Sequence, residues 1–126
     1  MGELKLMLPV FVGGGLGAMV RFAFSLIVVN HLKSFLPIAT LGANLLAILI
    51  MGLTLYYSES KFETYPWIRA FVVIGFCGGL STFSTFSFET VLLLKGHHWV
   101  YALGNVFVSV VLGVLILYPF IKVLNK

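Results

Sequence analysis

Residues 75–89 read GFCGGLSTFSTFSFE. Hydroxyls (Ser81, Thr82, Ser84, Thr85, Ser87) alternate there with aromatics (Phe83, Phe86, Phe88), directly after Gly75, Gly78 and Gly79. Phe83 and Phe86 are three apart and so share a helix face. A phenyl ring has an electropositive edge. Ring edges together with hydroxyl and amide donors can hold a small anion without any formal positive charge, firmly enough to enter and loosely enough to leave. The plainer reading of the same residues is a Phe-rich packing face. The glycines offer complementary chemistry. Each weakens a helix by about 1 kcal/mol relative to alanine, so residues 75–81 are expected to form a break. Unwound carbonyls in a broken membrane helix bind cations such as Na+. One break supplies about two carbonyls, and two breaks facing each other across a two-fold axis supply about four. A cation there would act as a structural staple between two copies.

Other polar groups are sparse. Arg21 and Glu89 stand inside apolar runs, where ionisable residues are costly and functional by default. The alternative for each is a charge that snorkels to the interface. Asn44, in TLGANLLA, carries an amide with two donors. It suits a dehydrated anion, or equally a helix–helix hydrogen bond. Asn105 and Ser109 are four apart, hence on one face, with Tyr101 one turn earlier. They read as a polar stripe or as interhelical glue. His97 and His98 sit in a loop with nothing nearby to complete a metal site. The single cysteine, Cys77, cannot form an intramolecular disulfide and reads as a small packing residue.

The elements that must position these groups are membrane helices. The chain has 126 residues, 60% hydrophobic and only 10% charged. A soluble domain would be about 25% charged. The net charge of +4 comes from Lys and Arg scattered singly near segment ends. They read as headgroup anchors rather than a nucleic-acid face. Four apolar segments, near 6–30, 38–57, 67–94 and 99–121, each approach the roughly 20 residues that cross a bilayer. Pro37 and Pro66 lead into the second and third, and Pro119 lies in the last turn of the fourth. Trp67, Trp99 and five tyrosines fall near segment ends, as an aromatic belt does. The apolar run after Lys5 continues past any leader cleavage point and reads as a mature span. The expected fold is an all-α integral membrane protein of one four-helix domain, its third helix broken mid-membrane.

Lys5, Lys61, Arg69, Lys122 and Lys126 fall on one side, Lys33 and Lys95 on the other, which favours a cytoplasmic N-terminus. Four short helices do not easily enclose a polar pathway, so the chain is expected to be a subunit. GGGLGA at 13–18 places Gly13 and Gly17, and Gly14 and Ala18, at small-xxx-small spacing. That spacing serves contact between subunits or between helices of one chain.

These motifs resemble the Fluc/CrcB family of fluoride channels over nearly the whole chain. GGGLGAMVRF (13–22) is similar to the family's first-span signature and TLGANLLA (40–47) to its second. GFCGGLSTFSTFS (75–87) matches the third almost letter for letter. The resemblance implies an antiparallel dual-topology homodimer with two fluoride pathways along its interface. It implies that Phe83 and Phe86 line a pathway with Asn44. It also implies that the backbone carbonyls of Gly78 and Ser81 hold a structural Na+ at the dimer interface. Thr82, Ser84, Thr85 and Glu89 border the route by position in the motif. Asn105 and Ser109 fall where the family has a polar track. Arg21 matches the first-span arginine, a vestibule or structural position. The Lys/Arg asymmetry departs from this pattern, since it fits one orientation better than two.

The expected function is passive export of fluoride from the cytoplasm through the inner (plasma) membrane, lowering its toxicity. It is not enzymatic, and the partners are fluoride, lipid and a second copy. A small four-span multidrug or cation exporter is the alternative, but it needs a titratable carboxylate deep in the first segment, and that segment has none. A non-transporting membrane assembly subunit is the other.

Overall fold

A computed structural model describes residues 2–33 and 37–124. Lys126, counted above among the flanking charges, lies outside the described residues. After a 3-10 turn at Glu3–Leu6, α1 runs Met7–Leu32 and α2 Ile38–Ser58. A second 3-10 turn, Glu59–Lys61, leads to α3 at residues 66–80. Its body, Arg69–Cys77, is wound as a π-helix between short α-helical ends. Then come α4, Phe83–Lys95, and α5, Trp99–Leu124. Among the described residues, four stretches have the length and apolar composition to cross a membrane: Leu4–Leu32, Ile38–Ser58, Pro66–Lys95 and Trp99–Ile121.

Local chemistry sets the ends of these helices. Lys33 closes α1 in the left-handed region (φ 43°), its amide on Val29 O. Pro66 opens α3, where its missing N–H has no helical partner to lose. The turn from α4 to α5 is tied by the amides of Gly96, His97 and His98 on the carbonyls of Leu92, Leu94 and Leu93. Between α3 and α4, Ser81 (φ −78°, ψ 155°) and Thr82 (φ −152°, ψ 120°) are extended. The glycines before them differ from expectation. Gly75, Gly78 and Gly79 all keep helical backbone, and the extended residues are the two that follow.

Packing against α1 accounts for Gly75 and Gly79. A Cβ on Gly13 would collide with the carbonyl oxygen of Phe71, one on Gly17 with that of Phe76, and one on Gly79 with that of Gly14. A Cβ on Gly75 would lie 2.8 Å from Val10 O. The two backbones therefore touch along α1 and α3, which only glycine permits. The small residues of the first segment join helices within one chain. The core sits behind this contact, where Ala43, Ala47, Cys77 and Leu80 are buried and Phe24, Ile50, Met51, Val72 and Phe76 pack around them. At the other edge α2 meets α5, with Gly52 against the ring of Phe120. Large apolar side chains such as Phe11, Phe22, Val100 and Phe107 cover the outside.

Candidate functional site

The site is built around the extended residues between α3 and α4. Asn44, in the second turn of α2, grips Thr82 by both ends of its amide. Its Oδ1 accepts the Thr82 N–H at 2.7 Å and its Nδ2 donates to the Thr82 carbonyl at 3.3 Å. Thr82 in turn starts α4 as an N-cap: its Oγ1 accepts from the Thr85 amide at 3.2 Å and donates to Thr85 Oγ1 at 3.1 Å. Ser81 turns back, its amide and hydroxyl both donating to Cys77 O at 2.9 and 2.8 Å. From α1, Arg21 Nε donates to Gly79 O at 3.1 Å. Three helices therefore hold this short stretch through polar side chains.

Beside it lies an open recess of about 330 Å³, lined by Asn44, Ile48, Ser81, Thr82, Phe83, Phe86, Ser109 and Val110. The rings of Phe83 and Phe86 stand 5.9 Å apart at 35°. Phe86 is half-buried, whereas Phe83 is 80% exposed on the outer surface. No side chain lining this recess carries a formal charge. Its polar equipment is an amide, hydroxyls and ring edges. Since Asn44 uses its carbonyl and one N–H on Thr82, its second N–H is the donor left for a ligand.

Two further clusters flank the recess. Thr40 Oγ1 donates to Glu89 Oε1 at 2.8 Å, tying α2 to α4. Among the described residues, two buried side-chain oxygens have no hydrogen-bond partner, Glu89 Oε2 and Ser109 Oγ. A smaller cavity of about 190 Å³ joins Arg21 and Ser25 of α1 to Thr40, Thr82 and Thr85. On the α4–α5 side, Asn105 Nδ2 donates to Thr90 Oγ1 at 3.1 Å, and Thr90 donates to Phe86 O at 2.8 Å.

The chain matches the family model described as CrcB-like protein, Camphor Resistance (CrcB), over residues 8–119. It belongs to the CrcB family. Among its relatives is a protein of Serratia proteamaculans (strain 568) named fluoride-specific ion channel FluC. That relative is 40% identical over 106 residues, covering 84% of this chain and 83% of the relative. A protein of the same name from Escherichia coli O139:H28 (strain E24377A / ETEC) is 42% identical over 106 residues, with the same coverage.

The CrcB match spans the candidate site residues, from Arg21 to Ser109. The structure gathers Asn44, Ser81, Thr82, Phe83, Phe86 and Ser109 at one recess. Thr85 and Arg21 share the smaller cavity behind it. Glu89 lies farther along α4, in a third cavity shared with Ser25 and His98. Asn105 lines a shallow groove with Tyr101 and Leu41. Ser84 and Gly78 are exposed. Thr40 and Thr90 were not anticipated from sequence. Thr40 stands four residues before Asn44, on the same face of α2, and that spacing was the available signal.

Proposed function

We propose that this chain is a fluoride-selective ion channel through which cytoplasmic fluoride leaves the cell passively. The observation that carries the reading is the uncharged recess between Asn44 and the Phe83–Phe86 pair, in a chain whose relatives are named fluoride-specific channels. A fixed cation at the site would hold a dehydrated anion too tightly to release it. Amide, hydroxyl and ring-edge donors balance its lost hydration without trapping it. Hydrogen fluoride enters cells uncharged and dissociates inside. A negative-inside potential then drives the anion out by about 2.3 kcal/mol per charge per 100 mV, so no energy-coupled step is needed. The site performs no covalent chemistry.

The working unit is a homodimer of oppositely oriented copies in the inner membrane. The recess opens to the outer surface of one copy and Phe83 projects from it, so a second copy is what would shield both from lipid. The extended backbone at Ser81 and Thr82 supports a helix broken at membrane depth. A structural Na+ fits the donor set there. Its ligands would be backbone carbonyl oxygens, which suit a hard cation. Gly78 and Ser81 would hold it through their carbonyls. Bound there, it would join the two copies by charge.

A proton-coupled cation exporter is not favoured, since α1 contains no carboxylate. The deciding experiment is fluoride efflux from liposomes containing the purified protein, followed with a fluoride electrode. Rapid efflux is expected, and intact proteoliposomes that release none would sink the reading.

A further inference from the structure

In an unbroken helix the amides of Thr82, Phe83, Ser84 and Thr85 would serve the carbonyls of Gly78, Gly79, Leu80 and Ser81. Side chains redirect the first and the last of these amides. The Thr82 N–H goes to Asn44 Oδ1 at 2.7 Å. The Thr85 N–H goes to Thr82 Oγ1 at 3.2 Å. The two carbonyls that lose their helical amides in this way are those of Gly78 and Ser81. Gly79, between them, is treated differently, for its carbonyl accepts from Arg21 Nε at 3.1 Å. On Gly78, the position of a missing Cβ faces open space.

We infer that Asn44 and Thr82 are positioning residues for the cation site, each occupying one backbone amide that would otherwise close a carbonyl ligand into the helix. This rests on the channel reading and on Na+ at Gly78 and Ser81. It adds a role for Asn44 beyond facing the anion. The physical reason is competition for a single hydrogen. A backbone N–H aimed at a side-chain oxygen is no longer available to a carbonyl four residues earlier. Gly78 keeps helical dihedrals (φ −64°, ψ −37°), so its carbonyl points along the axis past the end of α3, whereas Ser81 is itself extended; with the two amides taken, both carbonyls keep their lone pairs for a hard cation. Arg21 occupies the Gly79 carbonyl. Asn44 and Thr82 also line the recess beside Phe83 and Phe86, so cation site and anion route share two residues.

The test is the Na+ dependence of unfolding temperature for the purified full chain in detergent. Na+ is exchanged for N-methylglucamine at constant ionic strength, and fluoride efflux is measured in parallel. Wild type is expected to be stabilised by Na+. Thr82→Val, which keeps the shape and loses the hydroxyl, is expected to need about ten-fold more Na+ for half of that effect. Thr82→Ser, which keeps the hydroxyl, is expected to stay within about two-fold of wild type. Asn44→Leu is expected to behave as Thr82→Val, and if it does not fold, the Val/Ser pair still decides. Ser109→Ala lines the same recess but touches neither amide, so it is expected to slow flux with an unmoved Na+ titration. If Thr82→Val and Asn44→Leu both keep the wild-type Na+ midpoint, the positioning role is overturned and the channel reading stands. If wild type conducts fluoride but ignores Na+, the cation site and its positioning residues fall together. If wild type conducts no fluoride, the channel reading fails, and the Na+ titration still judges the positioning role.

Discussion

Phe83 and Phe86 lie one helical turn apart with ring centroids 5.9 Å from each other, yet only Phe86 is packed within the chain. Phe83 is 80% exposed, on a helix whose N-cap is held in place by Asn44. A large apolar ring can face lipid at no cost. The polar groups of the recess beside it cannot. The pair therefore marks the face on which a second copy is proposed to close the site.

Phe83→Ile removes the ring edge and little intrachain packing. Fluoride efflux is expected to fall at least about ten-fold, equivalent to about 1.4 kcal/mol in the barrier. The unfolding temperature should barely move. Fluoride-electrode efflux and thermal unfolding of the purified variant check both halves. Wild-type flux would return Phe83 to a packing role.

Asn44→Asp keeps an acceptor for the Thr82 amide but replaces the Nδ2 donor to Thr82 O with a carboxylate oxygen. A negative charge then lines the recess and repels the anion. Transport is expected to be abolished in the same efflux assay. Retained flux would remove Asn44 from the pathway.

Gly17→Ala places a methyl group against the carbonyl of Phe76 and 2.8 Å from the amide nitrogen of Leu80. Neither is a side chain that can swing away. A loss of about 1–3 kcal/mol is expected. Gly15→Ala points into open space and should leave stability unchanged or raise it by up to about 1 kcal/mol. Equilibrium unfolding in detergent compares the two, and equal stabilities would contradict the backbone contact between α1 and α3.

Thr40→Val deletes the hydroxyl that donates to Glu89 Oε1. Glu89 Oε2 already lacks a partner, so the whole carboxyl group would be left without one. A destabilisation of about 1 kcal/mol is expected, with slower fluoride efflux. An unchanged unfolding curve would mean that Glu89 finds another donor.

Much of this protein is legible in its sequence. Apolar composition and segment length determine four helices suited to a membrane, because backbone amides there must find partners within the protein and a helix supplies nearly all of them. The motif GFCGGLSTFSTFS at 75–87 carries the resemblance to the family, and the family match over residues 8–119 bears it out. The tertiary structure alone decides how these groups are used. Glycines that weaken an isolated helix remain helical at 75, 78 and 79, where contact with α1 holds Gly75 and Gly79 against its backbone. The spacing at 13–18 did not tell an intrachain contact from one between subunits, since close backbone approach has the same requirement in both. The extended residues are Ser81 and Thr82, held by an amide 38 positions away in sequence. Periodicity and propensity report on neighbours along the chain. Whether an amide serves its own helix or Asn44 depends on which donors and acceptors the packing of α1, α2 and α3 brings within reach.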